Sequence, residues 1–176
     1  DAHAYYNDYL TNGTGSWIVQ LLAQSPYVDA TIALDSGDGV HVGYVGSHGV
    51  THAVNVNGEW WEESVVAGGW CDSSFAIDAR DKVHAAYYTS SSSAGELDYA
   101  TNASGVWVPE LVTTFPQDIG CSGQPGSLSI AVEGSGRAHV AYAGRYPDYG
   151  LKYAVNSGGF WTIATIDEGY IPGLST

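Results

Sequence analysis

A histidine followed three residues later by a tyrosine occurs four times in the 176-residue chain, at His3/Tyr6, His41/Tyr44, His84/Tyr87 and His139/Tyr142. An imidazole and a phenol held together make a general base and acid. With a cation to neutralise the carboxylate, such a pair can abstract a proton beside a uronate group, as a polysaccharide lyase does. One active site needs the pair once, yet every unit of this chain has its own. Recurrence therefore favours a structural role, in which a buried imidazole on a strand bonds a neighbouring acid or strand and fixes its register.

Two other phrases recur around it. N-x-x-G-x-W follows at Asn12/Gly15/Trp17, Asn55/Gly58/Trp60, Asn102/Gly105/Trp107 and Asn156/Gly159/Trp161, and [ST]-[IF]-A-[ILV]-[DE] precedes it at Thr31 to Asp35, Ser74 to Asp78 and Ser129 to Glu133. The acid stands six residues before the histidine each time, whereas the histidines are 38, 43 and 55 residues apart. Fixed internal offsets with a variable period put the insertions in loops, and a unit of roughly 40–50 residues matches four strands. Thr31 to Asp35, a Gly-containing turn and Val40 to Tyr44 read as a β-hairpin. A third strand then ends at the Asn of the tryptophan phrase, and a fourth follows its Gly turn.

No stretch keeps a 3.6-residue apolar period, so the chain reads as all-β. A sandwich gives no reason for a unit to recur intact, and a solenoid turn is shorter. A β-propeller of four-stranded antiparallel blades is expected over residues 1–176, with about four repeats, three complete and one split between the termini. Trp17, Trp60, Trp107 and Trp161 are expected to pack between blades, and His3, His41, His84 and His139 to hold equivalent second-strand positions.

The run from Ser129 to Tyr142, S-I-A-V-E-G-S-G-R-A-H-V-A-Y, followed by L-K-Y-A-V-N-S-G-G-F-W at Leu151 to Trp161, resembles the blade repeats of bacterial secreted β-propellers distantly similar to the Asp-box (BNR) group. The resemblance covers nearly the whole chain and implies the fold. It departs from the Asp-box itself, because here the Asp and Trp fall on different strands, so a sialidase activity is not implied.

Five basic against 19 acidic residues give a net charge of −14, which argues against nucleic acid or an anionic membrane surface as partner. No apolar run is long enough for a membrane-spanning helix. Scarce lysine, two cysteines and the sequons at Asn12 and Asn102 lean toward a secreted protein, with Cys71 and Cys121 placed to form an inter-blade disulfide. No cofactor is required. Calcium near Asp35 and Asp38 is the one metal to consider, although Asp-Ser-Gly-Asp-Gly reads more readily as a hairpin turn.

Function is better sought where the repeat is broken. His48 and His52 flank the shortened loop of the second unit, and His52 stands where Tyr9, Tyr99 and Tyr153 stand elsewhere. Trp61 doubles Trp60, Trp70 precedes Cys71, and Arg145, Tyr146, Asp148 and Tyr149 fill the longer loop of the last unit. Aromatic rings with a few fixed polar groups suit a sugar, whose apolar face covers a ring while its hydroxyls take hydrogen bonds. These residues point to a non-catalytic extracellular module that binds a glycan or protein through blade loops. A structural or adhesive segment of a larger assembly and a lyase or glycosidase are the alternatives. Aligned by repeat, the chain opens at a second strand and stops inside a first strand. The two ends either close one ring or leave edges for further blades or for a second copy in a homodimer.

Overall fold

The computed structural model describes residues 5–11, 15–16, 18–25, 30–68, 72–90, 94–116, 128–144 and 148–168. They form fourteen strands and, among the described residues, no helix. Blade 1 contains β1 (Tyr5–Thr11) and β2 (Ile18–Ser25). Blade 2 contains β3 (Ala30–Leu34), β4 (Val40–Gly46), β5 (Gly49–Val56) and β6 (Glu59–Ala67). Blade 3 contains β7 (Ser73–Ile77), β8 (Val83–Ser90), β9 (Gly95–Thr101) and β10 (Val108–Phe115). Blade 4 contains β11 (Leu128–Val132), β12 (Ala138–Gly144), β13 (Gly150–Asn156) and β14 (Trp161–Asp167).

Blades 2, 3 and 4 are each an antiparallel meander in sequence order, and blade 1 shows the outer two strands of the same unit. The first strands β3, β7 and β11 touch one another in series, so they line the inner edge around which the blades radiate. This is the propeller arrangement. The expected split blade falls partly on residues 1–4 and 169–176, which lie outside the described residues, as do Cys71, Cys121, His3 and Trp17.

The acid of the first phrase makes the opening hairpin. One oxygen of Asp35 accepts the amides of Gly37 (2.9 Å) and Gly39 (2.6 Å), and one of Asp78 accepts those of Arg80 (2.8 Å) and Lys82 (2.9 Å). The chain then passes through the left-handed region at Asp38, Asp81 or Gly136. Aspartate and glycine tolerate that conformation, which is why the turn keeps its length while its sequence changes. The Asp-Ser-Gly-Asp-Gly stretch is thus a hairpin turn. Asn55 and Asn156 act alike in the last hairpin, each accepting the amide of the glycine three residues on, at 3.0 and 3.1 Å.

Strand side chains alternate between faces, and in blades 2 and 3 both faces are covered by neighbouring blades. The hydrophobic cores therefore lie between blades. Val45 and Val50 of blade 2 pack on Phe75, Ala85 and Tyr87 of blade 3, and Tyr88, Leu97 and Tyr99 of blade 3 pack on Ile130, Val140 and Tyr142 of blade 4. Volume is matched across each seam. Phe75 replaces the isoleucine found at Ile130, and facing it is Gly43, where a Cβ would come within 1.9 Å of the Phe75 ring.

Candidate functional site

The odd spacing within H-x-x-Y puts histidine and tyrosine on opposite faces of the blade. The side chains of Tyr44, Tyr87 and Tyr142 face the preceding blade, while His41, His84 and His139 lie on the opposite face, toward the following blade in blades 2 and 3. The two phrase residues therefore cannot act together on one substrate. Instead, the phenol beside each imidazole comes from the third strand: His84 Nδ1 and His139 Nδ1 each lie 2.5 Å from the hydroxyls of Tyr99 and Tyr153. The other imidazole nitrogen faces the phrase acid, at 3.6 Å for Asp78 and 2.9 Å for Glu133. His84 is buried, His41 and His139 are half-buried.

Blade 2 varies this pattern. With His52 in the tyrosine position, a chain of contacts runs from Asp35 through His41 (3.3 Å) and His52 (2.9 Å) to Glu63 (3.0 Å). His52 is 3% exposed and lies under Phe75 and the edge of Trp107 of blade 3. Both of its ring nitrogens are engaged, so it belongs to the blade seam rather than to a loop surface. Burial pushes its pKa down, against the pull of Glu63, and burial likewise lowers His84 against the pull of Asp78.

Each described tryptophan of the N-x-x-G-x-W phrase reaches the same third-strand position of the blade before it. Trp60 meets Tyr9 edge-on with ring centres 5.2 Å apart, Trp107 meets His52 at 5.8 Å, and Trp161 meets Tyr99 at 5.2 Å. Trp60 Nε1 also donates to Gln20 Oε1 at 3.2 Å. These rings form the seams.

The other loop candidates are not gathered in one place. His48 is exposed in the turn between β4 and β5, Trp61 is 67% exposed on the outer strand of blade 2, and Tyr149 is 41% exposed in blade 4. Trp70, Arg145 and Tyr146 lie outside the described residues.

What the structure does gather is a cleft between blades 3 and 4. A cavity of about 260 Å³ is lined by Thr113, Thr114 and Phe115 of β10 and by Tyr142, Asp148 and Lys152 of blade 4, with Ile163 and Pro116 completing an apolar wall. Lys152 is 3% exposed, its ammonium bonded to the Asp148 carboxylate and to Thr165 Oγ1 at 2.9 Å. Asp148, at 82% side-chain exposure, joins the pair to solvent. Gly144 lets the Asp148 backbone and the Lys152 side chain come close, because a Cβ there would stand 2.3 Å from the Asp148 carbonyl oxygen and 2.9 Å from Lys152 Cε. Burial, with Asp148 nearby, pushes the Tyr142 hydroxyl up to about 12, so it is present as a neutral donor.

Lys152 is the residue that sequence reasoning missed. It pairs with Tyr142 across the sheet, as Asp98 pairs with Tyr87 and Thr51 with Tyr44. A lysine where the other blades carry Asp or Thr, in a chain with five basic residues, was a visible signal. The corresponding Asp98 is pushed up to about 6 by burial, partly offset by a 2.7 Å hydrogen bond from Thr89. The blade 3/4 cleft thus holds an ammonium with two of its three N–H groups engaged by Asp148 and Thr165, a carboxylate acceptor, hydroxyls and an apolar wall. That set can bind a polyhydroxyl ligand.

No protein-family model matches the chain, and no curated protein matches it, so the Asp-box likeness rests on its phrases alone. Solved structures do match. AofleA from Arthrobotrys oligospora is 15% identical, with 90% of this chain and 49% of that one covered at a TM-score of 0.57. A variant of the Aleuria aurantia lectin AAL in complex with Fucα1-6GlcNAc is 16% identical, with 91% and 52% covered at a TM-score of 0.57. A fucose lectin from Kordia zhangzhouensis in complex with methyl-fucoside is 12% identical, with 79% and 99% covered at a TM-score of 0.49. The chain spans about half the length of AofleA and of the Aleuria lectin, and at these identities the likeness is one of fold.

Proposed function

We propose that the chain is a non-catalytic glycan-binding module that takes one neutral sugar residue in the cleft between blades 3 and 4. The observation that carries this reading is the Lys152–Asp148 pair at the cavity wall. A paired cation and anion offer a donor and an acceptor side by side, which suits adjacent sugar hydroxyls. An anionic sugar would have to displace Asp148 and approach a chain of net charge −14. Phe115, Pro116 and Ile163 offer an apolar wall for a sugar's C–H face or methyl group. At about 260 Å³ the cavity falls below the roughly 300–1,000 Å³ of drug-sized sites, so it has room for one residue of a glycan.

The likeness of fold to a lectin solved with Fucα1-6GlcNAc supports this reading and suggests fucose, a neutral 6-deoxy sugar, as the first probe. An extracellular setting, where such glycans are displayed, accords with the composition. A glycan array with the purified protein tests the proposal: fucosylated and other neutral glycans should be retained and sialylated or sulfated ones should not. Retention of anionic glycans only, or of none, overturns it.

A further inference from the structure

Blades 1 and 4 each end on an uncovered apolar face, and the two faces are the two halves of the seam that joins every other pair of blades. On the following face of blades 2 and 3, Val50 and Leu97 are fully buried by the next blade; the same position in blade 4, Leu151, is 45% exposed. Tyr99 is 4% exposed under Trp161, whereas Tyr153, its equivalent, is half-buried with no tryptophan ring against it among the described residues. The preceding face of blade 1 shows the converse. Ala53, Ala100 and Ala154 are fully buried against the blade before, while Leu10, at the same position, is 53% exposed. Apart from Asp8 on blade 1 and His139 and Asp167 on blade 4, the paired strand residues on these faces are apolar or uncharged. Sheet faces of this kind, exposed together, mark an interaction surface.

We propose that a second copy of this chain covers both faces, with blade 4 of one copy packing on blade 1 of the other, twice, in a two-fold ring. The partner's chemistry follows from the surfaces themselves. The face beyond Leu151 and Tyr153 calls for the preceding face of a blade, and the uncovered one in this structure belongs to blade 1. Blades 1 and 4 of one chain do not cover each other, since Leu10 and Leu151 are both open. The two faces differ, so the contact is head-to-tail, and two copies can close it because each supplies one half of both seams. The chain's span of about half the length of AofleA and the Aleuria lectin agrees with two copies completing one ring.

The test is light scattering on the purified chain with its Leu10→Glu and Leu151→Glu variants. The wild type should weigh twice 18.5 kDa and each variant 18.5 kDa, with circular dichroism unchanged because both side chains are open to water in the single copy. Mixing the two variants should restore a fraction of dimer, since one of the two seams is then intact. A wild-type mass of 18.5 kDa at every concentration overturns the proposal, whether the natural cover is another protein, further blades or nothing. A dimer that survives Leu10→Glu, or an assembly of three or more copies, overturns it as well.

Discussion

The ring of Trp161 in blade 4 stands edge-on to the ring of Tyr99 in blade 3, with centres 5.2 Å apart and planes at 64°. Trp60 and Tyr9 repeat the geometry one seam earlier, at 5.2 Å and 70°. Such a contact adds about 0.5–1.5 kcal/mol to the area it buries. Trp161→Ala should therefore lower the unfolding free energy by about 2–3 kcal/mol, read from urea denaturation. A loss within error would mean that the seam does not depend on its tryptophan.

Gly43 and Phe75 fit as small against large. Gly43→Ala should destabilise by about 1–3 kcal/mol through overpacking, because the added methyl falls inside the Phe75 ring. Phe75→Ile, which copies the Ile130 and Ala86 arrangement of the next seam, should recover most of that loss in the double variant. Thermal melts of the four proteins decide it, and simple additivity would show that the two sites do not meet.

Asp98 works against the fold at neutral pH. Burial raises it to about 6, so between about pH 4 and 6 the folded chain holds a proton that the unfolded chain has released. Its cost is then full above pH 6 and absent below about pH 4. Asp98→Asn should stabilise the protein at pH 7 by about 1–2 kcal/mol after solvent screening, and the gain should vanish by pH 4. An equal melting temperature for variant and wild type at pH 7 would refute this.

His52 and His84 run in the opposite sense. Burial holds both below the ordinary histidine value, so as pH falls through about 6.5 the unfolded chain takes up protons that these side chains resist, and stability is lost. His52→Tyr installs the residue of the other blades and should flatten the loss between pH 7 and pH 5.5, as followed by melting temperature. An unchanged pH profile would assign that loss elsewhere.

The blades were legible because the acid, histidine, asparagine and tryptophan each close a turn or a seam at a fixed offset, and any insertion inside the unit would break those contacts. The odd spacing of H-x-x-Y already put its two residues on opposite faces. The true partner of His84, Tyr99, becomes visible only once β8 and β9 are paired in register. His52 stood out as a break in the repeat, but its burial depends on Phe75 and Trp107 of another blade, which no local pattern encodes. Lys152 could be seen to differ from Asp98 and Thr51. Its enclosure could not, because that depends on Asp148 beside it and on Phe115 across the seam.

Calorimetric titration of Fucα1-6GlcNAc into the wild type and the Lys152→Met variant tests the central claim most directly. Asp148 is open to water and can be rehydrated when Lys152 is removed, so the variant should stay folded, within about 1 kcal/mol of the wild type. A saturable one-site isotherm for the wild type that disappears in the variant is the expected result. No saturable heat from the wild type, or equal affinity in both proteins, would contradict a sugar site built on Lys152 and Asp148.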